Sequence, residues 1–233
     1  MHRRSLLVGL PALGACAAAP RVVETDGLDA LDAWHPVPLP GKRRSAYREV
    51  VKGGRPAIEA VADRSASAWR RRLRVEPAQL GRLRFAWWVE RLLPDAHVGD
   101  VEREDAVARV LLGFEGDEAR LSGRSRAMFD LAQLLTGERP PYATLMYVWD
   151  GHAPPETVIT NPRSERLRKI VVDSGPARLG RWVEHERDVA ADFERAFGEP
   201  PGPLVSLAVM TDADNTGAKA RAWYQLPELS SGS

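Results

Sequence analysis

Arg82-Leu83-Arg84-Phe85-Ala86-Trp87-Trp88-Val89-Glu90 is the stretch from which the rest of the chain can be read. Leu83, Phe85, Trp87 and Val89 fall on one side of an extended backbone, and Arg84, Ala86, Trp88 and Glu90 on the other. A period of two marks a strand with one buried face, because successive side chains point to opposite sides of a sheet. The same period recurs outward from here. In 56–63, Ile58, Ala60 and Ala62 oppose Glu59, Val61 and Asp63; in 106–114, Ala108, Val110, Leu112 and Phe114 oppose Val107, Arg109 and Leu111. Segments 144–149, 167–172, 204–211 and 221–226 complete the predicted strands.

Two segments predict helices. In 125–135, Met128, Leu131 and Leu135 recur at spacings of three and four. In 188–197, Asp188 is a good N-cap, Val189, Phe193 and Phe197 form a stripe, and Gly198 stops the helix. Strands this numerous with two short helices exclude a βαβ architecture, which needs a helix between most strands. They predict a mainly β fold, a two-sheet antiparallel β-sandwich of jelly-roll type. Proline-rich stretches at 36–40, 140–141, 154–155 and 200–203 read as loops. No composition break divides 28–229, which reads as one domain followed by a tail over 230–233.

The 233 residues are 44% hydrophobic and 28% charged, the balance of a globular protein with a sizeable core. Lys+Arg 33 against Asp+Glu 32 leaves +1, and no basic surplus calls for nucleic acid. The single cysteine excludes an intramolecular disulfide and a Cys-rich zinc module. It sits at position 16, after a basic start (1–4) and a short apolar run (5–15). Leu13-Gly14-Ala15-Cys16 resembles the bacterial lipoprotein signal, whose cysteine is acylated and becomes the new N-terminus. Residues 1–16 are therefore expected to be a signal segment, Cys16 the lipidation site, and 17–27 a tether. The expected location is the cell envelope, anchored to the membrane through lipid. An ordinary secretory peptide cut near 17–19 is the alternative. Arg3-Arg4-Ser5-Leu6-Leu7 also resembles a twin-arginine export signal, so the export route stays open.

The C-terminal half carries a family resemblance. Thr144-Leu145-Met146-Tyr147-Val148-Trp149, Asn161-Pro162, Ile170-Val171-Val172, Gly180-Arg181-Trp182, Asp192-Phe193, Phe197-Gly198-Glu199 and 211–217 together resemble the bacterial family called domain of unknown function 3047. Ser65-Ala66-Ser67 and 85–89 fit as well, so the resemblance spans roughly 34–224. Glu104-Asp105 departs from the Asp pair the family implies, and 122–137 reads as an insertion. That family implies no catalytic residue. The ending is also similar to galactose-binding-like jelly rolls, which implies a carbohydrate-binding sandwich, often with a structural Ca²⁺.

Candidate ligand residues follow from the polar strand faces. Trp88, Arg84, Arg109 and Glu59 all lie opposite apolar positions, and with Trp149 they would form a sugar platform if those faces line a concave sheet. The alternative is that both tryptophans are core and Glu59 pairs with an arginine. Asp212, Asp214 and Asn215 would stand at the rim, with Asp212 and Asp214 as candidate Ca²⁺ ligands. Against this, the loop fails as an EF-hand, since Trp223 stands at the twelfth position, and it also reads as a turn with Gly217 at positive φ. Arg70-Arg71-Arg72-Leu73-Arg74 suits anionic lipid or acidic polysaccharide, or simply an exposed strand. His185-Glu186 lacks a zincin's second histidine, and the nucleophile-elbow, phosphate-loop and dinucleotide motifs are absent. These readings favour a lipid-anchored, non-catalytic module that binds a glycan. Two alternatives stand beside it: a polysaccharide hydrolase using a carboxylate pair such as Glu104-Asp105 or Asp212 with Asp214, and an assembly lipoprotein that binds envelope proteins.

Overall fold

The computed structural model describes residues 33–230. The predicted signal segment 1–16 with Cys16, the tether 17–27, the domain's first residues 28–32 and the tail residues 231–233 lie outside the described residues. In chain order the elements are β1 (His35–Pro38), β2 (Ala46–Lys52), β3 (Arg55–Asp63), β4 (Ala66–Val75), β5 (Arg82–Val89), β6 (Arg109–Phe114), α1 (Gly123–Thr136), β7 (Ala143–Asp150), β8 (Val158–Asn161), β9 (Ser164–Ser174), β10 (Trp182–Asp188), α2 (Val189–Phe197), β11 (Leu204–Asp212) and β12 (Lys219–Leu229).

The strands form a seven-stranded sheet, β1-β4-β11-β6-β7-β9-β8, and a five-stranded sheet, β10-β5-β12-β3-β2. Neighbours pair antiparallel except β7 and β9, which run parallel. The predicted two-sheet sandwich with two helices is therefore the fold. Its core is the set of inward faces the alternation picked out. Leu83, Phe85, Trp87 and Val89 meet Val110, Leu112, Phe114, Leu145 and Tyr147 across the gap. Phe85 stacks on Tyr147 at 5.6 Å, tying one sheet to the other. Each such aliphatic or phenylalanine side chain, fully buried, stabilises the fold by roughly 1.5–3 kcal/mol.

Both helices sit where predicted. Asp188 accepts from the Ala191 amide and Gly198 ends α2 at φ 70°, while Val189 and Phe193 are buried and Phe193 packs on Phe114 at 4.6 Å. In α1 the orientation departs from the expected stripe. Ser125 and Phe129 face the protein, whereas Met128, Leu131 and Leu135 are exposed.

Two connections decide which sheet faces are covered. The segment between β5 and β6 lays Val98 and Ala106 over Met146, Val148 and Val171 on the outer face of the seven-stranded sheet. The turn after Asp212 carries Gly217 at φ 65°. It is no hairpin, since β11 and β12 belong to different sheets.

Candidate functional site

Strand register assembles one row across the outer face of the five-stranded sheet. Trp182 of β10 stands opposite Trp88 of β5, Trp88 opposite Trp223 of β12, Trp223 opposite Glu59 of β3, and Glu59 opposite Arg48 of β2. Trp88 and Trp182 meet edge to face at 6.0 Å. The Lys52 ammonium lies over Trp223 and Trp88, 3.8 and 4.8 Å from the ring centroids, and bonds Glu90 at 2.6 Å. The turn between β2 and β3 thus bends across the indoles. Trp182 Nε1 donates to the Lys52 carbonyl at 3.0 Å. Gly53 is required there twice over: its φ is 56°, and a Cβ would stand 3.1 Å from Trp88 and 3.2 Å from Trp182. Trp88 Nε1 is buried and meets no acceptor among the described residues, a donor whose desolvation costs about 1–3 kcal/mol. Glu59 is only 3% exposed and is held by Arg48, with Arg221 at 3.7 Å.

Beside this row two hollows adjoin, sharing Gln225, Leu226 and Glu228. One, of about 690 Å³, is floored by Ala57 and Val50; the other, of about 610 Å³, by Ala86 beneath Arg84, Glu184 and Glu186. Small residues at Ala57 and Ala86 leave the space, and the walls offer donors and acceptors in pairs. Arg84 bonds Glu186 at 2.6 Å, and Arg55, outside both linings, bonds the lining residues Glu184 at 2.7 Å and Gln225 at 3.3 Å. Alternating donors and acceptors beside indole faces suit a neutral, hydroxyl-rich ligand, whose rings present apolar faces and whose edges exchange hydrogen bonds.

The structure brings Trp88, Glu59 and Arg84 together on this face and separates the other predicted residues from them. Trp149 points inward, is 1% exposed and donates Nε1 to the Gly175 carbonyl, so it is core and not a platform. Arg109, Asp212, Asp214 and Asn215 lie at the other sheet. Arg109 donates Nε to Asp212 Oδ1 at 3.0 Å and Nη2 to Oδ2 at 2.8 Å, and Ala106 N also bonds Oδ1. Lys169, wholly buried, pairs with Glu104 at 2.7 Å. Asp105 accepts from the Asn215 and Thr216 amides and the Thr216 hydroxyl, and Asp214 binds Lys42. Burial pushes the Asp212 carboxyl up to about 6 even though Arg109 pulls it down, and burial together with Arg109 brings the Lys169 ammonium down to about 8.

This cluster bears on the Ca²⁺ expectation. Carboxylate oxygens of Asp105, Asp212 and Asp214 lie within 4.8 Å of one another. Yet both oxygens of Asp105 and both of Asp212 already accept protein donors, and Arg109, Lys42 and Lys169 bring cations to the same spot. A cation needing six to eight free oxygens does not fit this donor set. Neither Glu104, Asp105, Asp212 nor Asp214 lines either hollow.

A third region carries the arginine run. Arg70, Arg72 and Arg74 line a groove of about 1040 Å³ on the seven-stranded sheet with Glu115, Glu118 and Glu138. Each guanidinium there has a carboxylate partner: Arg70 and Arg72 bind Glu138, and Arg74 bonds Glu76 and Glu115. The run is thus charge-compensated, which removes the surplus that an anionic ligand would seek.

Sequence reasoning passed over Trp182, Trp223 and Lys52. Trp223 was legible, since alternation over 221–226 puts it with Arg221 and Gln225 on the polar side. Trp182 was hidden because Trp-Val-Glu-His-Glu-Arg-Asp holds one aliphatic residue and does not stand out as a strand. Lys52 lies at a turn, and which surface a turn covers depends on distant strands.

No curated protein matches the chain. Among solved structures, the xyloglucanase domain of NopAA, a type three effector from Sinorhizobium fredii, in complex with cellobiose, is similar at 7% identity and TM-score 0.45, over 85% of this chain and 93% of that one. The family 11 carbohydrate-binding module from Clostridium thermocellum, in complex with a mixed-linked tetrasaccharide, is similar at 10% identity and TM-score 0.40, over 84% and 87%. A thermostable cellulase derived from Cel12A of Rhodothermus marinus is similar at 12% identity and TM-score 0.40, over 86% and 100%. None of the three bears on what this chain binds. Residues 32–227 match the family described as protein of unknown function, DUF3047, and the chain belongs to that family.

Proposed function

We propose that the protein is an envelope module, anchored by lipid at Cys16, that binds a glycan without chemistry on the outer face of its five-stranded sheet. The observation that carries this is the cross-strand row Trp182–Trp88–Trp223–Glu59–Arg48, set against hollows walled by Arg84, Glu184, Glu186 and Gln225. Trp88 and Trp182 are half-buried on this face and Trp223 is buried under Lys52, so the first two are the rings a ligand meets first. The arrangement supports ring stacking, with the paired charges as hydroxyl partners. Binding draws the Lys52–Gly54 turn away from the indoles, and Trp88 Nε1 gains an acceptor. The signal-like start of the chain, ending at its single cysteine, supports the anchor and the location.

Thermal unfolding against a panel of soluble polysaccharides tests the reading. A ligand at 100 times its Kd stabilises by about 2.7 kcal/mol, which raises Tm by roughly 5–10 °C at this size. One glycan class should give that shift, and no reducing ends should appear on prolonged incubation. No shift with any glycan overturns the binding reading, and released reducing ends would replace it with hydrolysis.

A further inference from the structure

Among the described residues five large apolar side chains are exposed, and four of them belong to α1: Met128 (40%), Leu131 (55%), Leu134 (82%) and Leu135 (64%). Scattered exposed apolar residues are ordinary, but four on one short helix are a surface. At 100° per residue, Arg124, Met128, Leu131 and Leu135 form one stripe, with Leu134 beside it; Ser125 and Phe129, which face the protein, lie on another arc. The helix therefore has two apolar sides, and the fold uses one.

We infer that this exposed side of α1 rests in the interface of the bilayer to which the lipidated Cys16 tethers the domain, an inference that stands on the anchor reading above. Two observations choose the bilayer as occupant. The first is where the chain enters. β1 begins within three residues of the first described residue, and His35 pairs with Arg70. Arg70 binds Glu138, two residues beyond the last residue of α1. The described chain thus begins beside the C-terminal end of α1. The 17 residues from Cys16 to residue 33 reach at most about 60 Å, so the anchor keeps the point where the chain enters, and α1 beside it, within that distance of the membrane. The second is the charge on the stripe. Arg124 is exposed at its N-terminal end, where its stem can lie along apolar surface while the guanidinium meets headgroup phosphates. Docking this way has a consequence for the ligand face. α1 packs on β9 of the seven-stranded sheet, through Ser125 and Glu165, so the tryptophan row on the other sheet is left free.

The test uses the full acylated chain in vesicles of phosphatidylethanolamine and phosphatidylglycerol. Its only cysteine is consumed by the lipid, so Leu134→Cys supplies a single thiol for an environment-sensitive dye, at a site too exposed to endanger the fold. Val51→Cys, at the fifth exposed apolar residue (74%), is the control. The dye at position 134 should shift to shorter wavelength with vesicles and be quenched by lipids brominated near the headgroup, and the dye at 51 should do neither. A chain that floats with the vesicles while both dyes stay in water overturns the docking and leaves the anchor intact. A blue shift at 134 without quenching assigns the surface to protein and overturns the docking as well. A chain that fails to float overturns the anchor, and the docking with it.

Discussion

Arg84 and Arg109 read alike in the sequence, each on the polar side of an alternating strand, yet the fold treats them oppositely. The Arg84 side chain is 69% exposed and bonds Glu186 at the rim of a hollow; that of Arg109 is 4% exposed and locked to Asp212. The difference is what lies over each sheet. Val98 and Ala106 cover the part of the seven-stranded sheet's outer face that holds Met146, Val148 and Val171, next to Arg109, so charges there must satisfy one another. Over the five-stranded sheet, among the described residues, the Lys52–Gly54 turn crosses the aromatic row; Trp88 and Trp182 stay partly exposed there, while Trp223 is buried beneath the Lys52 ammonium. Alternation says which side of a strand a residue takes. It does not say whether that side meets water.

Substitutions can break this contrast. Arg109→Ala leaves Asp212 buried without its cation, while Glu104 keeps Lys169, and should cost about 3–5 kcal/mol in urea unfolding. A loss under about 1 kcal/mol would mean the cluster is solvated and the two faces are alike. The pH profile sharpens the point. With its carboxyl at about 6 against an ordinary 3.8, folded Asp212 holds its proton over a range where the unfolded chain has lost it. Wild type should therefore lose stability relative to Asp212→Asn as the pH rises from 4 to 6. A difference that is flat or grows with pH would contradict a desolvated Asp212. Glu59→Gln is the intermediate case, an acid buried on the open face whose partner Arg48 is free to solvate; about 1 kcal/mol is expected by the same unfolding measurement. Arg84→Ala should change stability by no more than about 0.5 kcal/mol, because exposed pairs contribute little.

Much of the fold was legible. The inward faces of β3, β5 and β6, the cap at Asp188 and the stop at Gly198 all follow from local pattern, because they answer to local geometry. β2 and β10 were not legible, since edge strands exposed along much of their length carry few apolar residues. The site was half legible. Trp88, Glu59 and Arg84 were read as facing outward, and they share a face. Trp149 and Arg109 were grouped with them because sequence alone does not assign strands to sheets; that assignment comes from crossings such as the one after Asp212.

The central claim is that ligand binding belongs to the tryptophan row and not to the larger arginine groove. Binding isotherms with the glycan that gives the largest thermal shift decide between them, for wild type, Trp182→Ala and Arg74→Ala. The account predicts at least a tenfold loss of affinity, about 1.4 kcal/mol, for Trp182→Ala and none for Arg74→Ala. Affinity lost in Arg74→Ala and kept in Trp182→Ala would contradict it and move the ligand to the other sheet.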